Sequence, residues 1–382
     1  MSKSPFSLLT LQPLRSLSTA ALALAVLLGG AACQAPTDTT VEAEAPEAAA
    51  EETDTAAAPA EMTPVSFTLS WLLQGVDGPL TLAIDRGYFA EEGLDVSFER
   101  GFGSSDTASK IAAGQYDMGF GDIYSMIEFN QQNPDDKLIA VAVTINKAPF
   151  ALLTFKESGI ESLDDVAGKK LGAPVGDAPR RLWPVLATEV GVDAEAVEWV
   201  SMEPKLRQSF LLQGNVDAIS GFTYSMIPAL VEAGKTLDDM TIFYYTENGL
   251  NFYGNVILVK ESFLEENPEV VRGFVAAYIK GLQDTVSDPE AGLEAVMAAG
   301  DELMDADAER LRLQIAMDGL LVNEEVEEIG FGAIDPARLE ATIAQTVAGF
   351  DLPETPAVED VFDDSFLPPL EERQVPDEIG SL

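Results

Sequence analysis

Short apolar runs and amphipathic stretches alternate along the chain from Val65 onward. Val65–Ser70 has strand character, and Gly78–Asp85 predicts a helix with a glycine stop at Gly87-Tyr88-Phe89. Leu94–Phe98 is a second strand, and Ser104–Ala113 a helix opened by small polar residues. Asp117–Phe120 is a short strand, Asp122 to about Gln132 a helix, and Lys137–Thr144 a buried strand. The order then restarts. Ser162–Val166 predicts a short helix, Lys169–Ala173 a strand, Asp177–Val190 a helix, Val197–Val200 a strand and Pro204–Gln213 a helix. Val216–Ser220 is a strand, Tyr224–Ala233 a helix, and Thr241–Tyr245 and Asn255–Val259 are strands. The chain to about Phe350 is mainly helical, and residues 351–382 form an acidic, proline-containing tail, wrapping or loose. Alternation of this kind predicts an α/β architecture, parallel-rich sheets flanked by crossover helices.

One internal match points to two related halves. Gly114-Gln115-Tyr116-Asp117-Met118-Gly119-Phe120-Gly121-Asp122-Ile123-Tyr124-Ser125-Met126-Ile127 aligns without a gap to Gly214-Asn215-Val216-Asp217-Ala218-Ile219-Ser220-Gly221-Phe222-Thr223-Tyr224-Ser225-Met226-Ile227. Each reads as turn, short strand, glycine and helix start. Strand ends of this type border ligand crevices in open α/β sheets, so two facing ends would make a cleft between lobes. The alternative is two ordinary turns that match by chance.

Composition removes whole classes of chemistry. The 382 residues carry 65 acidic against 22 basic side chains, a formal net charge of -43. So acidic a chain lacks the Lys and Arg that phosphate contacts need, which argues against a nucleic-acid partner and against docking on anionic lipid. A strongly hydrated surface suited to high salt is the plain reading. There is no His, and Cys33 is the single Cys. His/Cys metal sites, His-based triads and an internal disulfide are therefore excluded, and no metal or cofactor is expected.

The N-terminus reads as an address. Lys3 and Arg15 flank a small and apolar run, Leu17 to Ala32, which is short for a membrane span. Leu28-Gly29-Gly30-Ala31-Ala32-Cys33 resembles a bacterial lipobox, in which the Cys is acylated and becomes the mature N-terminus; Gly30 stands where that pattern has Leu. Ordinary cleavage near Ala32 is the alternative. Residues 34–63 are Ala, Glu, Thr and Pro with no apolar period, a disordered acidic tether.

Several motifs together resemble one periplasmic-binding-protein family. They are Phe67-Thr68-Leu69-Ser70-Trp71, Gly78-Pro79-Leu80-Thr81-Leu82-Ala83 and Arg86-Gly87-Tyr88-Phe89-Ala90-Glu91-Glu92-Gly93-Leu94-Asp95-Val96, with Ala112-Ala113-Gly114-Gln115-Tyr116-Asp117, Leu163-Asp164-Asp165-Val166-Ala167-Gly168-Lys169-Lys170-Leu171-Gly172 and Leu212-Gln213-Gly214-Asn215-Val216-Asp217-Ala218. The likeness spans about Val65 to Leu282. That family takes up nitrate, sulfonates, taurine and pyrimidine precursors of thiamine. The resemblance implies a two-lobed type II binding-protein fold with a hinge of two crossings, near Thr144–Phe150 and Thr246–Asn255. It places lobe 1 at 64–146 plus 251–350 and lobe 2 at 147–250, after a signal over 1–33. It also implies a monomer working with ABC permease and ATPase subunits, in the periplasm or cell envelope, lipid-anchored through Cys33. A fungal enzyme of the same family uses a His and a Cys-rich motif, and this chain has neither. A receptor that catalyses nothing is the expectation; a non-transport sensor on the same scaffold is the alternative.

Candidate ligand contacts follow from the predicted strand ends. Trp71 offers a flat face with an N–H, and Gln74 and Asp77 lie in the same loop. Gly103, Ser104 and Ser105 open a helix, where N–H groups attract anions or where Ser is simply a cap. Asp122 and Tyr124 start the next helix, with Phe222 and Tyr224 their second-half counterparts. In Gly176-Asp177-Ala178-Pro179-Arg180-Arg181, Asp177 can cap, and Arg180 or Arg181 can hold a carboxylate, sulfonate or phosphate. Asn251, from the return crossing, completes the set, while Lys205 and Arg207 read as a solvated face. The aromatic residues favour a heteroaromatic ligand and the arginines a small anion.

Overall fold

The computed structural model describes residues 62–382; the expectations for the export signal, for Cys33 and for the tether up to residue 61 lie outside the described residues. The strands in chain order are β1 (Thr63–Thr68), β2 (Leu94–Glu99), β3 (Met118–Asp122), β4 (Leu138–Val143), β5 (Phe150–Phe155), β6 (Lys170–Ala173), β7 (Glu198–Ser201), β8 (Ala218–Phe222), β9 (Met240–Tyr244) and β10 (Asn255–Lys260). They form two five-stranded sheets, ordered β2-β1-β3-β10-β4 and β7-β6-β8-β5-β9. In the first, β1 pairs in parallel with β2 and β3, and β10 runs antiparallel between β3 and β4. In the second, β6 pairs in parallel with β7 and β8, and β5 runs antiparallel between β8 and β9. Each sheet thus has four strands in one direction and one against them. The reversed strand is in each case the one that follows a crossing from the other sheet, over residues 144–149 before β5 and 245–254 before β10.

β5 is absent from the sequence reading. Phe-Ala-Leu-Leu-Thr-Phe is buried at every position and so shows none of the alternation that marks a half-exposed strand. The predicted helix Asp177–Val190 is two helices, Ala178–Arg181 and Trp183–Val190, because Pro184 has no N–H to continue the ladder. Pro204–Gln213 likewise opens as a 3-10 turn, Pro204–Leu206, before the helix Arg207–Leu212. The other boundaries agree with the predicted ones to within about two residues, the ordinary uncertainty of element ends.

The first sheet packs on the helix Pro268–Ser287, whose Val271, Phe274, Val275, Tyr278, Ile279 and Leu282 recur with helical period and are buried. Phe67 on β1 meets Phe120 edge-on at 4.7 Å and stacks on Phe274 at 5.1 Å; Phe89 lies 4.8 Å from Phe274. Each such ring, fully buried, contributes roughly 1.5–3 kcal/mol before packing geometry is counted. The Tyr88-Phe89 signature is thus a core and surface-anchor pair, Tyr88 donating to Asp284 beside Arg86. The second sheet has its own core around Phe150, Leu152, Trp183, Leu186 and Tyr245. The acidic segment 351–382 wraps rather than trails. Phe362 bridges to Ala140 at the edge of the first sheet, Phe366 is buried, and the Gly380 N–H donates to the Val286 carbonyl at 2.9 Å.

Candidate functional site

The two repeats occupy equivalent places. β3 and the helix Ile123–Gln132 in one half match β8 and the helix Thr223–Glu232 in the other, residue for residue. Both turn glycines are left-handed, Gly114 at φ 69° and Gly214 at φ 68°, and both aspartates tie their turns to a neighbouring strand. The Asp117 carboxylate accepts from Ser66 N–H at 2.8 Å, and Asp217 from Lys170 N–H at 2.7 Å. The strand ends face each other across the gap between the sheets, and the polar side chains there converge.

Their centre is a narrow, closed-down cavity of about 20 Å³ lined by Ser70, Trp71, Gln74, Gly103, Ser104, Asp177, Ala178, Arg207, Phe222, Tyr224 and Ser225. The loop after β1 supplies the first three and the loop after β2 the glycine. The loop after β6 supplies Asp177, and the end of β8 with its following helix supplies Phe222 to Ser225. Lobe meets lobe closely here. A side chain at Gly103 would stand 2.0 Å from the Gly176 carbonyl oxygen, so glycine is needed for the approach as well as for its φ of 119°.

Arg207 organises the cavity. It is 1% exposed, donates through Nη1 to Asp177 at 3.2 Å and to the Ser220 carbonyl at 3.3 Å, and through Nη2 to Ser225 Oγ at 3.1 Å. Its guanidinium lies 4.7 Å from the centre of the Trp71 ring, a cation–π contact that spans the lobes. Asp177 also accepts from Ser220 Oγ at 2.8 Å and caps the helix Ala178–Arg181 through Arg180 N–H at 3.3 Å. Burial pushes the Asp177 carboxyl up and the Arg207 guanidinium down, as for any pair taken out of water, and Coulomb attraction between them opposes both shifts. Gln74 Nε2 reaches across to Ser225 Oγ at 3.1 Å.

A second small cavity, of about 20 Å³, shares Ser70, Trp71, Gln74 and Tyr224 with the first and extends toward the hinge. Asp77, Thr144, Ile145, Asn255 and Tyr278 line its inner end. Asp77 accepts from Gln74 N–H at 2.9 Å; burial, reinforced by Glu309, raises its carboxyl to about 7 against that hydrogen bond. Asn255 donates to Ser70 Oγ at 2.8 Å, and its own carbonyl accepts from Thr144 and Ile145 in the first crossing.

Of the residues singled out from the sequence, Trp71, Gln74, Gly103, Ser104, Asp177, Phe222 and Tyr224 meet at the first cavity, and Asp77 at the second. The rest lie elsewhere. Asp122 is buried as a helix cap, accepting from Ser125 N–H at 2.8 Å, and burial raises it to about 6. Tyr124 is 1% exposed and donates to the Ala178 carbonyl. Ser105 and Arg181 line a wider, open groove, where Arg181 pairs with Glu128. Arg180 donates to the Ala173 carbonyl and Ser201 Oγ and lies 5.1 Å over Trp199. Asn251 is exposed, and its carbonyl accepts from Arg338. Arg207 corrects the reading of a solvated face: Lys205 is exposed, but two residues on, the helix has turned and Arg207 points inward. Ser225 and Asn255 are also new; the repeat that pairs Tyr124 with Tyr224 was the available signal for Ser225.

Among the described residues there is no group of three or more His, Cys, Asp or Glu side chains that could hold a metal ion. No helix among the described residues is long and apolar enough to cross a membrane.

Two lobes, a two-crossing hinge and strand ends closing on a shared cavity define the type II periplasmic-binding-protein fold. The alkanesulfonate-binding protein SsuA from Xanthomonas axonopodis pv. citri, bound to MOPS, has this fold, with a TM-score of 0.61 at 14% identity over 80% of this chain and 99% of that one. The NMT1/THI5-like family model matches residues 77–292, more than half of the chain, and the protein belongs to that family. Among curated relatives, the formylaminopyrimidine-binding protein of Halalkalibacterium halodurans is 25% identical over 81% of this chain and 93% of its own length. The riboflavin-binding protein RibY of Chloroflexus aurantiacus is 25% identical over 82% and 87%. The 4-amino-5-hydroxymethyl-2-methylpyrimidine phosphate synthase of Aspergillus parasiticus is 25% identical over 60% and 69%.

Proposed function

We propose that the protein is the solute receptor of an ABC-type importer and closes on a neutral, planar heteroaromatic such as a thiamine-type pyrimidine for delivery to a permease. The observation that carries this reading is the interlobe cavity with ring walls from Trp71, Phe222 and Tyr224, whose lining cation, Arg207, is already matched by Asp177. A small anion entering there would meet a carboxylate together with the guanidinium. The arginines that favoured an anion, Arg180 and Arg181, are engaged outside the cavity. Two relatives named for binding a pyrimidine and a flavin favour the same ligand class.

On this reading the chain is exported, cleaved and held to a membrane through Cys33, and the residues from 34 up to β1 are its tether. It acts as a monomer in the periplasm or cell envelope with permease and ATPase partners. It performs no chemistry. The synthase relatives are the counter-case, and the lack of any His, with Cys33 the lone Cys, argues against catalysis of the fungal kind. The test is a thermal-shift series with aminopyrimidines, riboflavin, taurine, ethanesulfonate and nitrate. A ligand that binds only the folded state raises Tm with concentration. An aromatic that raises Tm in the wild type but not in Trp71→Ala supports the reading; a shift confined to the anions sinks it.

A further inference from the structure

The two neighbouring cavities, which share Ser70, Trp71, Gln74 and Tyr224 as walls, have opposite hydrogen-bonding character at their far ends. At the outer end Arg207, 1% exposed, has its Nε–H buried with no partner among the described residues. At the inner end Asn255, 5% exposed, has Oδ1 buried with no partner, and the Asp77 carboxyl lines the same wall. An unmatched donor thus stands at one end and unmatched acceptor capacity at the other. The shared walls between them are Trp71, Tyr224, Ser70 and Gln74. A buried polar atom without a partner costs about 1–3 kcal/mol, so a ligand that satisfies both ends gains from each.

Resting on the receptor reading above, we infer that the solute binds in one direction: an acceptor atom on the Arg207 Nε–H, and an N–H donor, such as a ring amino group, inserted into the inner chamber on Asn255 Oδ1 and Asp77. The inner chamber is therefore the specificity subsite. It also couples recognition to closure, because the Asn255 carbonyl takes the Thr144 and Ile145 N–H groups of one crossing while Asn255 itself begins β10 after the other. A heterocycle of the same shape lacking that donor would leave the inner acceptors unpaired and be rejected. Of the neighbouring hydroxyls, Ser70 Oγ already accepts from Asn255 Nδ2.

The experiment is calorimetric titration of the purified receptor with 4-amino-2-methylpyrimidine and with 4-methoxy-2-methylpyrimidine, which has nearly the same outline but no donor. The expected result is a preference of about tenfold or more for the amino compound, the worth of one buried hydrogen bond. Asn255→Ala should erase most of that preference; Asp77→Asn should narrow it, and serves as the second variant where Asn255→Ala fails to fold. Equal binding of the two probes overturns the inference and leaves the receptor reading intact. So does a preference that survives both variants. If neither probe binds while taurine or nitrate does, or if nothing binds, the heteroaromatic reading itself falls and the inference with it.

Discussion

Asp122 ends β3 with its carboxyl holding the Ser125 N–H, yet it lies wholly out of water, and burial lifts it from 3.8 to about 6. The sign of the consequence follows from where the proton binds. The folded state keeps the proton to higher pH than the unfolded chain, so the group favours the fold most below pH 4. That contribution is lost as pH rises toward 6 and beyond. Holding the proton that much more tightly in the fold corresponds to about 3 kcal/mol at pH well below both values. Asp122→Asn keeps a cap acceptor but cannot titrate. Urea unfolding at pH 4, 5.5 and 7 should therefore show the wild type losing about 2.5 kcal/mol relative to the variant across that range. Parallel stability curves would mean that Asp122 stays ionised in the fold. The helix start at Asp122 was legible because Asp before a helix is a local signal, although Asp122 caps that helix instead of touching ligand as the sequence suggested. Arg207 was not: nothing in Glu203-Pro204-Lys205-Leu206-Arg207 tells which of two nearby cations will turn inward, since its partners Asp177 and Ser225 are distant in sequence.

At the scale of elements the repeat has a use that its sequence only half declares. Tyr124, on the first lobe, packs in the second lobe's core against Phe150 and Phe252, while Tyr224, on the second, packs in the first lobe's core. The motif was read correctly as an echo, but the exchange of rings between lobes depends on closure, which local pattern does not encode. β5 was missed for a related reason, because burial on both faces erases period. The helix Thr223–Glu232 carries a further device. Pro228 has no N–H, so the Tyr224 carbonyl four residues earlier loses its helical donor. Arg312, from the helix Ala306–Ala316, fills the gap, donating to the Tyr224 and Ser225 carbonyls at 3.1 and 3.0 Å while paired with Glu309 at 3.1 Å. Glu309 in turn accepts from Gly75 N–H at 2.7 Å. Arg312→Ala should cost about 3–5 kcal/mol, the range for breaking a buried pair. Pro228→Ala, which restores a donor, should recover about 1 kcal/mol of that loss in the double variant. Strict additivity in a urea-unfolding cycle would separate Pro228 from the Arg312 latch.

For the whole molecule the decisive feature is how closely the lobes meet. Across the mouth of the cavity, the backbones of Gly103 and Gly176 touch with no room for a methyl group. Gln74 to Ser225, Arg207 to Trp71 and Tyr124 to Ala178 surround that contact. In this arrangement the lobes meet backbone to backbone with side-chain contacts around that point, and in hinge motions small changes at such a contact shift a two-state balance. Gly103→Ala places a Cβ 2.0 Å from the Gly176 carbonyl oxygen in the closed form only; its strain at φ 119° burdens open and closed forms alike. The variant should remain folded, bind the preferred heteroaromatic at least about tenfold more weakly, and keep in saturating ligand a radius of gyration by X-ray scattering equal to its ligand-free value. The wild type should contract on binding. A Gly103→Ala protein that contracts as the wild type does, whatever its melting temperature, would show that the lobes close without this contact.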